Sequence, residues 1–82
     1  MAKTASRSHF VVINAQNKYD RVFNSLADGE RAAGVSPKVL KKVLEGTPVT
    51  KQKALQVAKA IWQQDRSLGE DPLSWVKDVR SQ

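Results

Sequence analysis

Residues 35–63 hold six lysines, Lys38, Lys41, Lys42, Lys51, Lys53 and Lys59, against a single acid, Glu45. An ammonium group is a compact point charge with three donors and no acceptor, so a group of lysines is suited to phosphate and other anionic oxygens. The stretch carries +5 of the chain's net +6; residues 1–34 carry +2 and residues 64–82 carry −1. Charge gathered in this way is the footprint of a polyanion-binding face, and equally that of a solvated lysine surface. Other chemistry has little to work with. His9 is the only histidine and there is no cysteine, which removes disulfides and thiolate metal sites. No nucleophile–base pair, carboxylate cluster or phosphate loop stands out. The chain is therefore expected not to be an enzyme, with no cofactor, no metal and no small-molecule substrate.

The lysines must be positioned by secondary structure, and Gly34 to Gly46 provides it. Gly34 can turn left-handed, Val35 can pin the turn to a core, Ser36 is a good N-cap, and Pro37 suits the first helical position. The helix should run to Glu45 and stop at Gly46. Val39, Leu40, Val43 and Leu44 share one face; Lys38, Lys41, Lys42 and Glu45 share the other. A sharp turn feeding such a helix is the arrangement by which a helix-turn-helix presents a recognition helix to DNA.

The flanking segments supply the support. Met1–Ser8 reads as a polar arm carrying Lys3 and Arg7. His9–Asn14 is β-branched and reads either as a strand or as an apolar anchor over a helical core. Asn17–Ala33 looks helical, with Tyr19, Val22, Phe23, Leu26 and Ala27 on one face and a second helix capped by Ser25 or Asp28. Asp28-Gly29 is also a turn signal. Leu26 and Ala33 are expected to pack against Leu40 and Val43. Thr50 can cap a helix from Lys51 to about Gln64, with Ala54, Leu55, Val57, Ala58, Ile61 and Trp62 inward. Asp65–Glu70 is a polar connector. Asp71-Pro72 then opens a last short helix to Arg80, whose stripe of Leu73, Trp75, Val76 and Val79 must dock on the bundle or on a second copy. Eighty-two residues make one small domain with a thin core. No apolar run approaches a membrane span and no signal-peptide core is visible at the amino end, so a cytoplasmic location without membrane contact is expected.

In the order Gly34-Val35-Ser36, Leu40, Val43-Leu44-Glu45-Gly46 and Lys53-Ala54-Leu55-Gln56-Val57-Ala58-Lys59-Ala60-Ile61, the chain resembles the lambda-repressor-like (Cro and xenobiotic-response-element type) helix-turn-helix family. The match covers residues 34–61. Five and four positions before the turn glycine the family usually has an apolar residue and an alanine; here Gly29 and Glu30 stand there. Where the family often places a polar base reader at the start of the recognition helix, this chain has Pro37.

The resemblance implies an all-α bundle of four to five helices containing a helix-turn-helix. It also implies sequence-specific binding to duplex DNA, often as a homodimer, by a transcriptional regulator, commonly a repressor. Residues 1–16 would be arm and anchor, 17–64 the DNA-binding core, and 65–82 the connector and docking helix. With Pro37 unable to read bases, Lys38 and Lys42, one turn apart, would donate to guanine O6 and N7 in the major groove. Lys41, Thr47, Lys51 and Lys53 would contact phosphates. Glu45 either accepts from a cytosine amine or is solvated at the helix end. The alternative is a protein-interaction domain on the same fold, such as an antitoxin or phage regulatory partner, using Phe10, Val11, Val12, Trp75 and Val79 as its surface.

Overall fold

The structure, a computed structural model, describes residues 9–64 and 71–79. The Met1–Ser8 arm, the Asp65–Glu70 connector and Arg80 lie outside the described residues. In chain order come β1 (Phe10–Val12), α1 (Ala15–Val22), α2 (Leu26–Ala33), α3 (Pro37–Glu45), α4 (Lys51–Gln64), a 3₁₀ turn (Pro72–Trp75) and β2 (Val76–Asp78). The fold is mostly helical, with one small sheet in which β1 and β2 run antiparallel.

Local chemistry sets the helix boundaries. The Ser25 hydroxyl accepts from the Asp28 N–H at 3.3 Å and starts α2. Ser36 accepts from the Val39 N–H at 3.3 Å ahead of Pro37, and Thr50 accepts from the Lys53 N–H at 3.2 Å. Each cap satisfies a backbone donor that the helix itself cannot. Gly34 ends α2 at φ 70° and Gly46 ends α3 at φ 84°, in the left-handed region where a Cβ would be strained. At Gly46 the Thr47 N–H donates to the Lys42 carbonyl at 2.8 Å and the Gly46 N–H to the Val43 carbonyl at 3.2 Å. That pair of bonds is a Schellman closure.

Leu40, Val43, Val57 and Ile61 are the largest fully buried side chains, and Ala54, Ala58 and Ala60 let α4 run close beneath its neighbours. Leu55 and Trp62 pack only part-buried at the edge of α4, whereas Ala60 lies inside. Leu26, expected inside, is 40% exposed. The chain breaks between Phe23 and Ser25, so Leu26 opens a new helix facing outward, while Tyr19 and Phe23 fill the core from α1 with ring centroids 4.8 Å apart.

Gly29 is no turn; it lies buried inside α2. A Cβ there would overlap the ring and hydroxyl of Tyr19. The Tyr19 hydroxyl donates to the Ser25 carbonyl and accepts from the Gly29 N–H at 3.2 Å, so it stands between the two groups that form the first rung of a regular helix. Burial raises the Tyr19 pKa above its ordinary 10.0, with the neighbouring acids Asp28, Glu30 and Asp20 adding to the shift and the Gly29 N–H opposing it.

The expected mostly helical fold is found, but its all-α form and the helix expected over Leu73–Arg80 are corrected by the described segment 71–79. Asp71 caps a turn through the Leu73 N–H at 2.9 Å, but after Trp75 the chain extends. Val76 lies opposite Val12, Lys77 opposite Val11 and Asp78 opposite Phe10. A helix here would have left β1 without that partner; the β-branched residues of both segments fit a ladder better. The pairing also decides between the two readings of His9–Asn14 in favour of a strand. On its other side β1 meets Val49, with both Phe10–Val49 backbone bonds at 2.8 Å. Trp75 is buried, and Leu73 is 50% exposed. The docking expected of this segment therefore takes place within the chain, through a strand. His9 Nδ1 and Asp78 Oδ1, 2.9 Å apart, face each other where the two strands meet.

Candidate nucleic-acid interface

Helix α3 is held from beneath and free above. Leu40 and Val43 are wholly buried, Val39 and Leu44 part-buried, and Pro37, Lys38, Lys41, Lys42 and Glu45 exposed. Lys38 and Lys42, four residues apart, rise one above the other on the outward face. Lys41 is displaced around the axis toward α1 and α2, where it borders a cleft with Gln16, Leu26, Leu44 and Glu45.

The link from α3 to α4 carries the other predicted contacts. Thr47 and Lys51 are exposed, and Lys53 is part-buried. Their positions are fixed by the Schellman closure at Gly46, the Val49–Phe10 bonds and the Thr50 cap. One rigid connection thus joins the α3 lysines to those at the start of α4. Among the described residues none of Lys38, Lys41, Lys42, Lys51 or Lys53 forms an ion pair. Lys18, by contrast, is occupied: its Nζ donates to the Ile13 carbonyl at 2.7 Å and lies 5.1 Å from the Trp75 ring centroid.

Helix dipoles add to this charge. A helix N-terminus carries partial positive charge that acids in the first turn normally complement. Only α2 follows that rule, with Asp28; the first turns of α1, α3 and α4 hold no acid. Lys38 stands in the first turn of α3, and Lys51 and Lys53 in that of α4. Both ends therefore add lysine charge to a positive dipole, which favours an anion from outside. The lysines are visible in the sequence, but their coincidence with helix N-termini appears only once the helix ends are fixed.

The Ser36 hydroxyl is engaged as a cap and Pro37 has no donor. The outward face of α3 thus offers ammonium groups and one carboxylate. Among the described residues no group of His, Cys, Asp or Glu could hold a metal, and no helix is long and apolar enough to cross a membrane. Of the apolar surface proposed for a protein partner, Val12 and Trp75 are core residues and Phe10, Val11 and Val79 are part-buried beside the strand pairing. No protein-family model, curated protein or solved structure matches this chain.

Proposed function

We propose that the protein is a helix-turn-helix regulator of lambda-repressor-like type that binds duplex DNA with α3 in the major groove, most simply as a transcriptional repressor. The observation that carries the proposal is the exposed face of α3 continuing, through a capped and bonded link, into the lysines of α4. The Gly34-Val35-Ser36 turn joins α2 to α3, the order of elements that the motif uses. Lys38 and Lys42 reach guanine O6 and N7. Lys41, Thr47, Lys51 and Lys53 neutralise phosphates and fix the register, with Lys53 extending its stem over apolar surface before its charge reaches solvent. Two copies acting as a homodimer would place two α3 helices about one DNA turn apart.

The test is selection of genomic fragments with the purified protein at two salt concentrations, followed by affinities for the selected and a random duplex. The Lys38→Ala and Lys42→Ala variants should lose affinity for the selected site more than for random DNA, by about 1–3 kcal/mol each if the base contacts are good. Lys51→Ala should weaken both alike and lessen the salt slope by about one. Equal losses for all three would mean that α3 does not read bases, and salt-independent binding would refute a phosphate interface.

A further inference from the structure

Glu45 is the one acid on the outward face of α3. Leu40 and Val43 define the inward direction; at 100° per residue Lys38, Lys41, Lys42 and Glu45 all fall within about 50° of the opposite one. That face therefore carries three donors, Lys38, Lys41 and Lys42, followed by one acceptor along the axis. With a rise of 1.5 Å per residue it spans about 10 Å, or three base-pair steps at about 3.4 Å each.

Glu45 is placed against the dipole of its own helix. It ends α3, where the dipole is negative and a carboxylate is disfavoured. Lys41 and Lys42 stand four and three residues before it, yet among the described residues it forms no ion pair with either. A cleft of about 230 Å³ lies between it and the first turn of α1, and among the described residues Glu45 makes no side-chain hydrogen bond to that turn. In a surface meant only for phosphates this carboxylate would weaken binding.

Resting on the DNA-binding reading above, we propose that Glu45 is a specificity-determining residue. Its carboxylate accepts from the N4 amine of a cytosine, one or two base pairs beyond the guanine met by Lys42. Its charge also repels the phosphates of DNA docked out of register. The favoured sites would thus pair guanines read by Lys38 and Lys42 with a cytosine on the side of the C-terminal end of α3. A carboxylate accepts from cytosine N4, whereas an amide pairs with adenine N6 and N7. Replacement by glutamine should therefore change the base chosen, and replacement by alanine should erase the choice.

The experiment is selection from a duplex pool with a randomised core, using wild type, Glu45→Gln and Glu45→Ala. It is read with affinities for a random duplex and with thermal melts of the free proteins. Wild type should enrich cytosine at one position beside the guanines, Glu45→Gln adenine there, and Glu45→Ala no base. Both variants should bind random duplex about threefold tighter, the factor for removing one charge about 7 Å from a phosphate in water. Their melting temperatures should equal or exceed that of wild type. An unchanged base preference would overturn the proposal and leave the DNA-binding reading standing. Lower melting of both variants with unchanged preference would show that Glu45 serves the start of α1 instead. Failure of wild type to bind any duplex would overturn both readings together.

Discussion

Lys51→Glu should make the protein more stable and a poorer DNA binder. Lys51 is exposed at the first position of α4, directly after the Thr50 cap, and no acid lies in that first turn. A charge beside a helix end is worth about 0.3–1 kcal/mol at low ionic strength. Changing lysine to glutamate turns an unfavourable term into a favourable one, so the doubled effect, discounted for solvent screening at an exposed site, comes to about 1 kcal/mol. In a domain of this size that raises Tm by about 4–8 °C. On the proposed DNA-binding reading, the same change removes one phosphate contact and places a negative charge beside the backbone. Affinity for duplex should fall for selected and random sequences alike, and the salt slope should lessen by at least about one. Calorimetry of the free protein and anisotropy titrations at several salt concentrations read the two effects separately. A lower Tm would show that Lys51 makes a stabilising contact, and unchanged duplex affinity would remove α4 from the interface.

Gly29→Ala should destabilise the fold despite alanine's better helix propensity of about 1 kcal/mol, because the new Cβ overlaps the buried Tyr19 ring; a chemical denaturation midpoint above that of wild type would refute this. Leu40→Ala should cost about 2–5 kcal/mol and Trp75→Ala about 3–5 kcal/mol, since both side chains are buried; a melt within a few degrees of wild type for either would place that residue outside the core. The raised Tyr19 pKa has a pH signature. Below pH 10 the phenol is protonated in both folded and unfolded chains. Above it the unfolded chain loses the proton first, so stability falls until the folded pKa is passed, by up to about 1.4 kcal/mol per pH unit. Denaturation midpoints across pH 9–11 should show this loss in wild type and a smaller one in Tyr19→Phe; identical slopes would refute it.

What could be read from the sequence was what adjacent residues decide. Ser36, Pro37 and Gly46 set the limits of α3 through bonds spanning three to five positions, and the structure places them as expected. The Ser25 cap was likewise legible, as one of two candidates. Contacts between distant residues were not. Val76–Val79 has a spacing that four residues cannot assign to helix or strand, and its partner β1 lies more than sixty positions away. Gly29 read as a turn because its neighbour is Asp28; its reason is Tyr19, ten positions back on another helix. At the candidate interface, the lysines and their outward direction followed from periodicity. The link joining them did not, because it depends on Val49 pairing with Phe10.

Within this one chain, α2 and α3 show the difference between a helix charged for stability and one charged for a partner. In α2 the acid Asp28 lies in the first turn and the base Arg31 in the last, 3.6 Å apart across the helix surface. Both signs agree with the dipole. In α3 Lys38 stands in the first turn and Glu45 at the last position, and among the described residues neither has an ionic partner. The two helices are of similar length and lie in the same small domain, so neither composition nor size accounts for the reversal. Local rules broken at one surface, and kept next to it, are the pattern expected of a surface that serves something other than the fold, which is what the proposed function assigns to α3. In α3 Lys42 in the last turn agrees with the dipole, while Lys38 in the first turn and Glu45 at the end oppose it. The partner that would offset both is one with negative charge near Lys38 and a hydrogen-bond donor near Glu45, and the phosphates and base edges of a DNA major groove supply both.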